Sequence, residues 1–170
     1  MSDSPPQIAV REVAPSDADF LVDMLLESVN WSGDRMNRKQ ALAKPEIAHY
    51  VTGWGRPGDF GLVAVDLGGP AGLQIPVGAA WLRQFTSADP GYGYVADDVP
   101  EVTIAIVPGF RGRGIGRALL TALLARAREL GIGRVSLSVE DGNRARALYE
   151  QLGFTSVGRS GDSDTLALDL

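Results

Sequence analysis

Glu101-Val102-Thr103-Ile104-Ala105-Ile106-Val107-Pro108-Gly109-Phe110-Arg111-Gly112-Arg113-Gly114-Ile115-Gly116-Arg117 joins a β-branched run to the most regular helical pattern in the chain, through a turn in which glycine and arginine alternate. The apolar run reads as a strand that enters the turn directly. Glycines let a backbone come close to an anion, and the amides that open the following helix lack intrahelical partners, so the turn is built to hold a phosphate or pyrophosphate. Arg111, Arg113 and Arg117 add cations at the same place. Ile115, Leu119, Leu123, Leu124, Ala127 and Leu130 mark a helix of about four turns, stopped by Gly131-Ile132-Gly133. Val135, Leu137 and Val139 then alternate with Ser136 and Ser138 as a second strand, and a strand-helix-strand unit of this length implies a right-handed parallel crossover.

Around this unit the chain reads as one domain. Residues 1–7 form a flexible lead-in without the charged and apolar regions of a secretory signal, and 8–170 form the domain. Ile8 to Arg11 is a first strand, and Ser16 with Asp19 resembles a capping box for a helix that runs to about Ser28. Ala18, Leu21, Val22, Leu25 and Val29 recur at helical spacing and face the core. A second helical segment spans Lys39 to Val51 with a break at Pro45. Phe60 to Asp66 and Ile75 to Leu82 form an antiparallel hairpin, and a polar stretch from Thr86 to Pro100 separates it from the decisive strand. After the second strand, Ala145, Leu148, Tyr149 and Leu152 mark another helix, ended by Gly153. Phe154 to Val157 and Thr165 to Leu168 close the chain as strands. The expected fold class is therefore α/β (α+β), a central mixed and mostly antiparallel sheet of six to seven strands with about four helices on its faces.

Composition narrows the function classes. The 170 residues are 45% hydrophobic and 22% charged, as in an ordinary globular domain, and no apolar run approaches the ~20 residues of a membrane helix. A net charge of −5 argues against general affinity for nucleic acid. With no cysteine there are no disulfides, thiol nucleophiles or thiolate metal sites, and nothing argues for an oxidising compartment; cytoplasm is the expected location. His49 is the single histidine and has no partner at metal spacing, so a surface or packing role is expected and no metal is.

Taken alone, the turn has competing readings. A triphosphate P-loop needs Lys and then Ser or Thr after its last glycine, where this chain has Arg117-Ala118. A dinucleotide site needs Gly-x-Gly-x-x-Gly with an acidic residue about twenty positions on, where the spacing here is Gly-x-Gly-x-Gly and that position is near Arg134. A glycine-rich tight turn with solvated arginines is the purely structural alternative. The turn, however, is followed by Asn143-Arg144-Ala145-Arg146-Ala147-Leu148-Tyr149-Glu150-Gln151-Leu152-Gly153-Phe154. Arg111-x-x-Gly114-x-Gly116 and this second block, in this order, resemble the acyl-CoA signature and the Asn-x-Ala-x-x-Leu-Tyr-x-x-x-Gly-Phe block of the GNAT superfamily of N-acetyltransferases. The resemblance covers Glu101 to about Phe154, the acetyl-CoA-binding core; residues 8–100, the acceptor-side half, match only in the order of elements.

The resemblance implies a parallel strand pair that splays, with the pantetheine arm of acetyl-CoA pairing along Ile104, Ala105 and Ile106. It places the pyrophosphate on the amides of Gly112, Arg113, Gly114, Ile115, Gly116 and Arg117, and Asn143 near the pantetheine. Tyr149 stands where many relatives donate a proton to the departing thiolate, and a phenol of pKa about 10 is protonated at neutral pH. Packing within the apolar stripe of its helix is the other reading of Tyr149. Glu101 lies near where several relatives keep a glutamate base, although a glutamate at a strand entrance is commonly just solvated. Ribosomal-protein N-terminal acetyltransferases place a glutamate on the following strand, where this chain has Ser138. The implied activity is direct acetyl transfer from acetyl-CoA to a primary amine of an unidentified acceptor, with oxyanion charge held by a backbone N–H near Ile106. A non-catalytic acyl-CoA-binding module is the alternative. Many relatives are homodimers, so pairing is allowed for here too. Trp31, Trp54 and Trp81 can line an acceptor cleft or serve the core, and Asp89, Asp97, Asp98 and Glu101 can face the acceptor or form an acidic surface loop.

Overall fold

The computed structural model describes residues 7–170, so Met1 to Pro6 of the expected lead-in lie outside the described residues. The elements in chain order are β1 (Ile8–Glu12), α1 (Ala18–Val29), α2 (Arg38–Leu42), α3 (Pro45–Ala48), β2 (Phe60–Asp66), β3 (Ile75–Arg83), β4 (Glu101–Ile106), α4 (Ile115–Glu129), β5 (Arg134–Glu140), α5 (Ala145–Gln151), β6 (Thr155–Ser160) and β7 (Ser163–Asp169). The strands form one sheet in the order β1-β2-β3-β4-β5-β7-β6, and β4 with β5 is its parallel pair. That is the mixed, mostly antiparallel α/β sheet read from the sequence, with five helices where about four were expected.

The extra helix has a local cause. Asn37 caps α2, its Oδ1 accepting from the Gln40 amide at 2.8 Å while the Gln40 side chain accepts from the Asn37 amide at 2.8 Å. Pro45 cannot donate to a preceding carbonyl, so the segment stops and restarts as α3 with Pro45 in its first turn. The start of α1 departs from expectation. Asp17, not Ser16, organises it: the Asp17 carboxylate accepts from the Ala14 amide at 2.7 Å and from both Arg11 terminal nitrogens at 2.7 and 2.9 Å. The Arg11 guanidinium holds the Asp17 carboxyl below its ordinary range.

Each face of the sheet carries one core. Leu119, Leu120, Leu123, Leu124 and Ala127 of α4 pack with Leu62, Leu82, Val102, Leu137 and Tyr149. Burial of each such leucine contributes roughly 1.5–3 kcal/mol. Leu130, expected in this stripe, is instead 51% exposed, because the helix ends before it. A Schellman motif makes the stop: Gly131, at φ 79°, donates to Arg128, and the Ile132 amide donates to Ala127 at 3.0 Å. On the opposite face, Leu21, Met24 and Leu25 of α1 pack with Tyr50, Val63, Trp81 and Phe85. Ala18, expected to face this core, is exposed at the helix start.

Candidate active site

Strands β4 and β5 touch through a single registered pair, Glu101 with Ser136, and separate beyond it. The hydrogen-bond parity of β4 shows which groups the gap receives. Val107 donates to Val77 on the β3 side at 2.8 Å, whereas Pro100 O accepts from Ser136 on the β5 side at 3.0 Å. Main-chain groups alternate sides along a strand, so Val102, Ile104 and Ile106 present theirs to the gap and Ala105 presents its own to β3. The Ile106 carbonyl accordingly accepts from Arg111 Nε at 3.1 Å. An extended ligand in the gap meets the amide and carbonyl of Ile104 and the amide of Ile106. Ala105 contributes a side chain to the α1-facing core.

The glycine turn follows at the open end of the gap. Gly109, Gly112 and Gly114 have φ of 92°, 76° and 79°, with nothing within 4 Å of where a Cβ would stand. This left-handed backbone is what lets consecutive amides point the same way. Ala118 is the first residue of α4 to donate within the helix, to Gly114 at 3.0 Å. Among the described residues, the amides of Arg111, Gly112, Arg113, Gly114, Ile115, Gly116 and Arg117 meet no protein acceptor. Unpaired amides at the positive end of a helix dipole form an anion cradle. The arginine side chains have other contacts. Arg111 also reaches Glu27 at 3.0 Å, Arg113 lies over the Phe110 ring at 5.3 Å, and Arg117 bonds Gln151. The unpaired groups of the turn are thus main chain, while these guanidinium groups engage other parts of the protein.

Glu101 is not the solvated strand-entrance residue that is usual at such a position. It is 3% exposed and points to the α1-facing side of the sheet, where Tyr50 Oη donates to its Oε2 and the Gly93 amide donates to Oε1 at 3.0 Å. Burial pushes its carboxyl up from 4.5 to about 7, while the two hydrogen bonds pull the other way. The loop that covers it needs glycine twice. A Cβ at Gly91 would lie 2.3 Å from Glu101 Oε1, and one at Gly93 would lie 2.6 Å from the Leu137 carbonyl carbon. Gly93 O in turn accepts from Ser136 Oγ at 2.6 Å.

Tyr149 approaches from the other face. Its ring is 7% exposed, 6.0 Å from that of Phe154, and burial raises its hydroxyl to about 12. Among the described residues its hydroxyl makes no hydrogen bond to protein and is not a fully occluded atom, unlike His49 Nε2, which is buried without a partner. Asn143 stands just before α5, its Oδ1 accepting from the Ala145 amide at 3.0 Å. Glu101 and Tyr149 are thus buried on opposite faces of the sheet.

The remaining candidates divide. Trp81 is fully buried, Trp54 lies under Arg83 at 5.6 Å, and Trp31 donates from Nε1 to Glu140 at 3.1 Å at the end of β5. His49 packs on Phe85 and Tyr50, with Nδ1 2.8 Å from Asp89. Asp97 accepts from the Ser87 amide and the Tyr94 hydroxyl. Asp97 thus holds its own loop together, and Asp89 ties that loop to His49. The described residues contain no group of three His, Cys, Asp or Glu side chains able to hold a metal, and no helix among them is long and apolar enough to cross a membrane.

Sequence reasoning missed Tyr50 and the buried pair that anchors it. Arg83 is 1% exposed in its side chain and Asp59 2%. Arg83 donates to both Asp59 oxygens, at 3.0 and 2.8 Å, and to the carbonyls of His49 and Thr52. The signal available for the covering loop was Gly91-Tyr92-Gly93-Tyr94, where paired glycines mark close backbone approach.

The sequence model of the acetyltransferase (GNAT) family matches residues 27–154. The chain is 40% identical over 63 residues to the [ribosomal protein bS18]-alanine N-acetyltransferase of Haemophilus influenzae, covering 37% of this chain and 43% of that one. It is 34% identical over 103 residues to the mycothiol acetyltransferase of Corynebacterium aurimucosum, covering 60% of this chain and 32% of that one. It thus spans less than half the length of these curated relatives. In fold it is similar to the PaiA N-acetyltransferase of Thermoplasma acidophilum, solved in complex with coenzyme A, with a TM-score of 0.65 at 16% identity over 96% of this chain and 99% of that one. On the family match, which covers most of its length, the chain belongs to the acetyltransferase (GNAT) family.

Proposed function

We propose that this chain is an acetyl-CoA-dependent N-acetyltransferase that moves acetyl directly to a primary amine of a small molecule or peptide. The observation that carries this reading is the gap itself, with a free β4 edge that leads into seven unpaired amides at the start of α4. Those features fit an acyl chain ending in a pyrophosphate. Acetyl-CoA, when bound, supplies an acyl group activated as a thioester. The amides of residues 112–117 take the pyrophosphate, Ile104 pairs with the pantetheine arm, and Asn143 lies beside it. The acceptor amine forms the new C–N bond as the C–S bond breaks. Glu101 accepts the amine's proton, directly or through water, and Tyr149 gives its own to the departing sulfur. The Ile106 amide holds the negative charge that builds on the carbonyl oxygen. With no cysteine in the chain, an acyl-cysteine intermediate is not part of this scheme. Cytoplasm is the compartment the reading assigns.

The test is thermal stability with acetyl-CoA, CoA, NAD and ATP in parallel, followed by thiol release with a panel of amines. A ligand at one hundred times its Kd adds roughly 2.7 kcal/mol to folding stability. Selective stabilisation by acetyl-CoA and CoA is expected. Indifference to both, or preference for NAD or ATP, overturns the reading.

A further inference from the structure

We propose that Tyr50 is a positioning residue for acetyl transfer: its phenol, locked in place by side chains of β3, fixes the Glu101 carboxylate for taking the acceptor's proton. The inference rests on the reading of Glu101 as the base. Its grounds are geometric. The Tyr50 oxygen accepts from the Tyr92 amide at 2.8 Å, so its single proton is directed to Glu101 Oε2. The Gly93 amide holds the other oxygen at 3.0 Å. A carboxylate has about four acceptor sites, so these two bonds set its plane and leave capacity for a proton or a water.

Tyr50 has little freedom to move. It is 6% exposed, and its ring lies 4.8 Å from His49, 5.0 Å from Phe85 and 6.4 Å from Tyr92. Trp81 Nε1 donates to its carbonyl at 3.0 Å, and Arg83 holds the carbonyls of His49 and Thr52 on either side, at 3.0 and 2.5 Å. Two buried side chains of β3 thus clamp the turn after α3, which carries the phenol. The hydroxyl stabilises the charged form of Glu101 against its burial, so its removal raises the pH at which Glu101 becomes a base. The other titratable or charged groups around the site are His49 with Asp89, Tyr92, and Arg83 with Asp59; β5 presents the uncharged Ser136.

The experiment is the pH profile of kcat/KM for the wild type, Glu101→Gln, Tyr50→Phe and a protein carrying 3-fluorotyrosine at position 50 alone. The fluorinated phenol is a stronger donor of nearly the same size, so it probes the bond even where Tyr50→Phe fails to fold. Glu101→Gln is expected to abolish the acidic limb. Tyr50→Phe is expected to move that limb up by about one pH unit, the effect of one hydrogen bond to a charged group, with activity recovering at higher pH. The fluorinated residue moves it down. If Glu101→Gln abolishes the limb and neither Tyr50 substitution shifts it, the positioning role is overturned while the base stands. If Glu101→Gln leaves both limb and activity intact, the base reading itself fails and the inference with it.

Discussion

Arg83→Ala removes one cation that makes four hydrogen bonds to three groups. Asp59, with its side chain 2% exposed, loses the donors at 3.0 and 2.8 Å but keeps the amides of Gly55 and Arg56 at 3.0 and 2.9 Å. The carbonyls of His49 and Thr52 lose their shared donor. Breaking a buried pair from one side costs about 3–5 kcal/mol, and the two surviving amide bonds to Asp59 place the expected value near the lower end, about 3 kcal/mol. For a domain of this size each kcal/mol lowers Tm by about 2–4 °C, so a fall of about 6–12 °C is expected. Urea unfolding followed by far-UV circular dichroism should show a lower midpoint at an unchanged slope. The double variant Arg83→Met with Asp59→Leu should recover part of the loss, because an apolar pair of similar volume leaves no buried charge behind, while the carbonyls of His49 and Thr52 and the amides of Gly55 and Arg56 stay without these partners. A loss under about 1 kcal/mol, or a double variant no more stable than the single one, would refute the argument that an uncompensated carboxylate sets the cost.

Further outcomes are expected at the site. The Glu101 carboxyl is raised from 4.5 to about 7, so between those values the unfolded chain releases a proton that the native protein retains; stability falls across that window by about 3 kcal/mol and stays low above it. Glu101→Gln should flatten that stretch of the stability profile measured by urea unfolding from pH 4 to 8. Tyr149→Phe should lower kcat by about 10²-fold or more and leave the acetyl-CoA Kd within a few-fold, as titration calorimetry and thiol release would show; equal kcat values would return Tyr149 to a packing role. Gly114→Ala places a Cβ on backbone at φ 79°, at a strain of roughly 1–2 kcal/mol, and should weaken CoA binding more than it lowers Tm.

The fold was legible where short-range pattern dominates. Alternation in Val135 to Val139, the periodic leucines of α4, and Pro45 as a break each act within a few residues, and each produced the element it predicted. Departures arose where one side chain outcompeted another locally, as when Asp17 took the Ala14 amide that the Ser16 reading ignored. The site was legible in its main-chain parts, since glycine identity reports backbone conformation directly. It was opaque in its side-chain parts. Tyr50 reaches Glu101 across 51 positions and Arg83 reaches Asp59 across 24, and neither spacing leaves a periodic trace. The burial of Glu101 was hidden for the same reason, because the loop that covers it is drawn in by contacts far apart in sequence.

Gly93 also bears on the mechanics of the sheet. Strands β1 to β4 make one antiparallel plate and β5, β7 and β6 another, with a single registered pair between them. A sheet interrupted at its centre transmits force poorly across the break. Gly93 fastens the two plates like a rivet, with its amide on Glu101 of one and its carbonyl on Ser136 of the other. Pulling the plates apart therefore strains the bond that holds the Glu101 carboxylate, and a loop residue with no side chain shares with the Ser136–Pro100 bond the task of keeping the plates together.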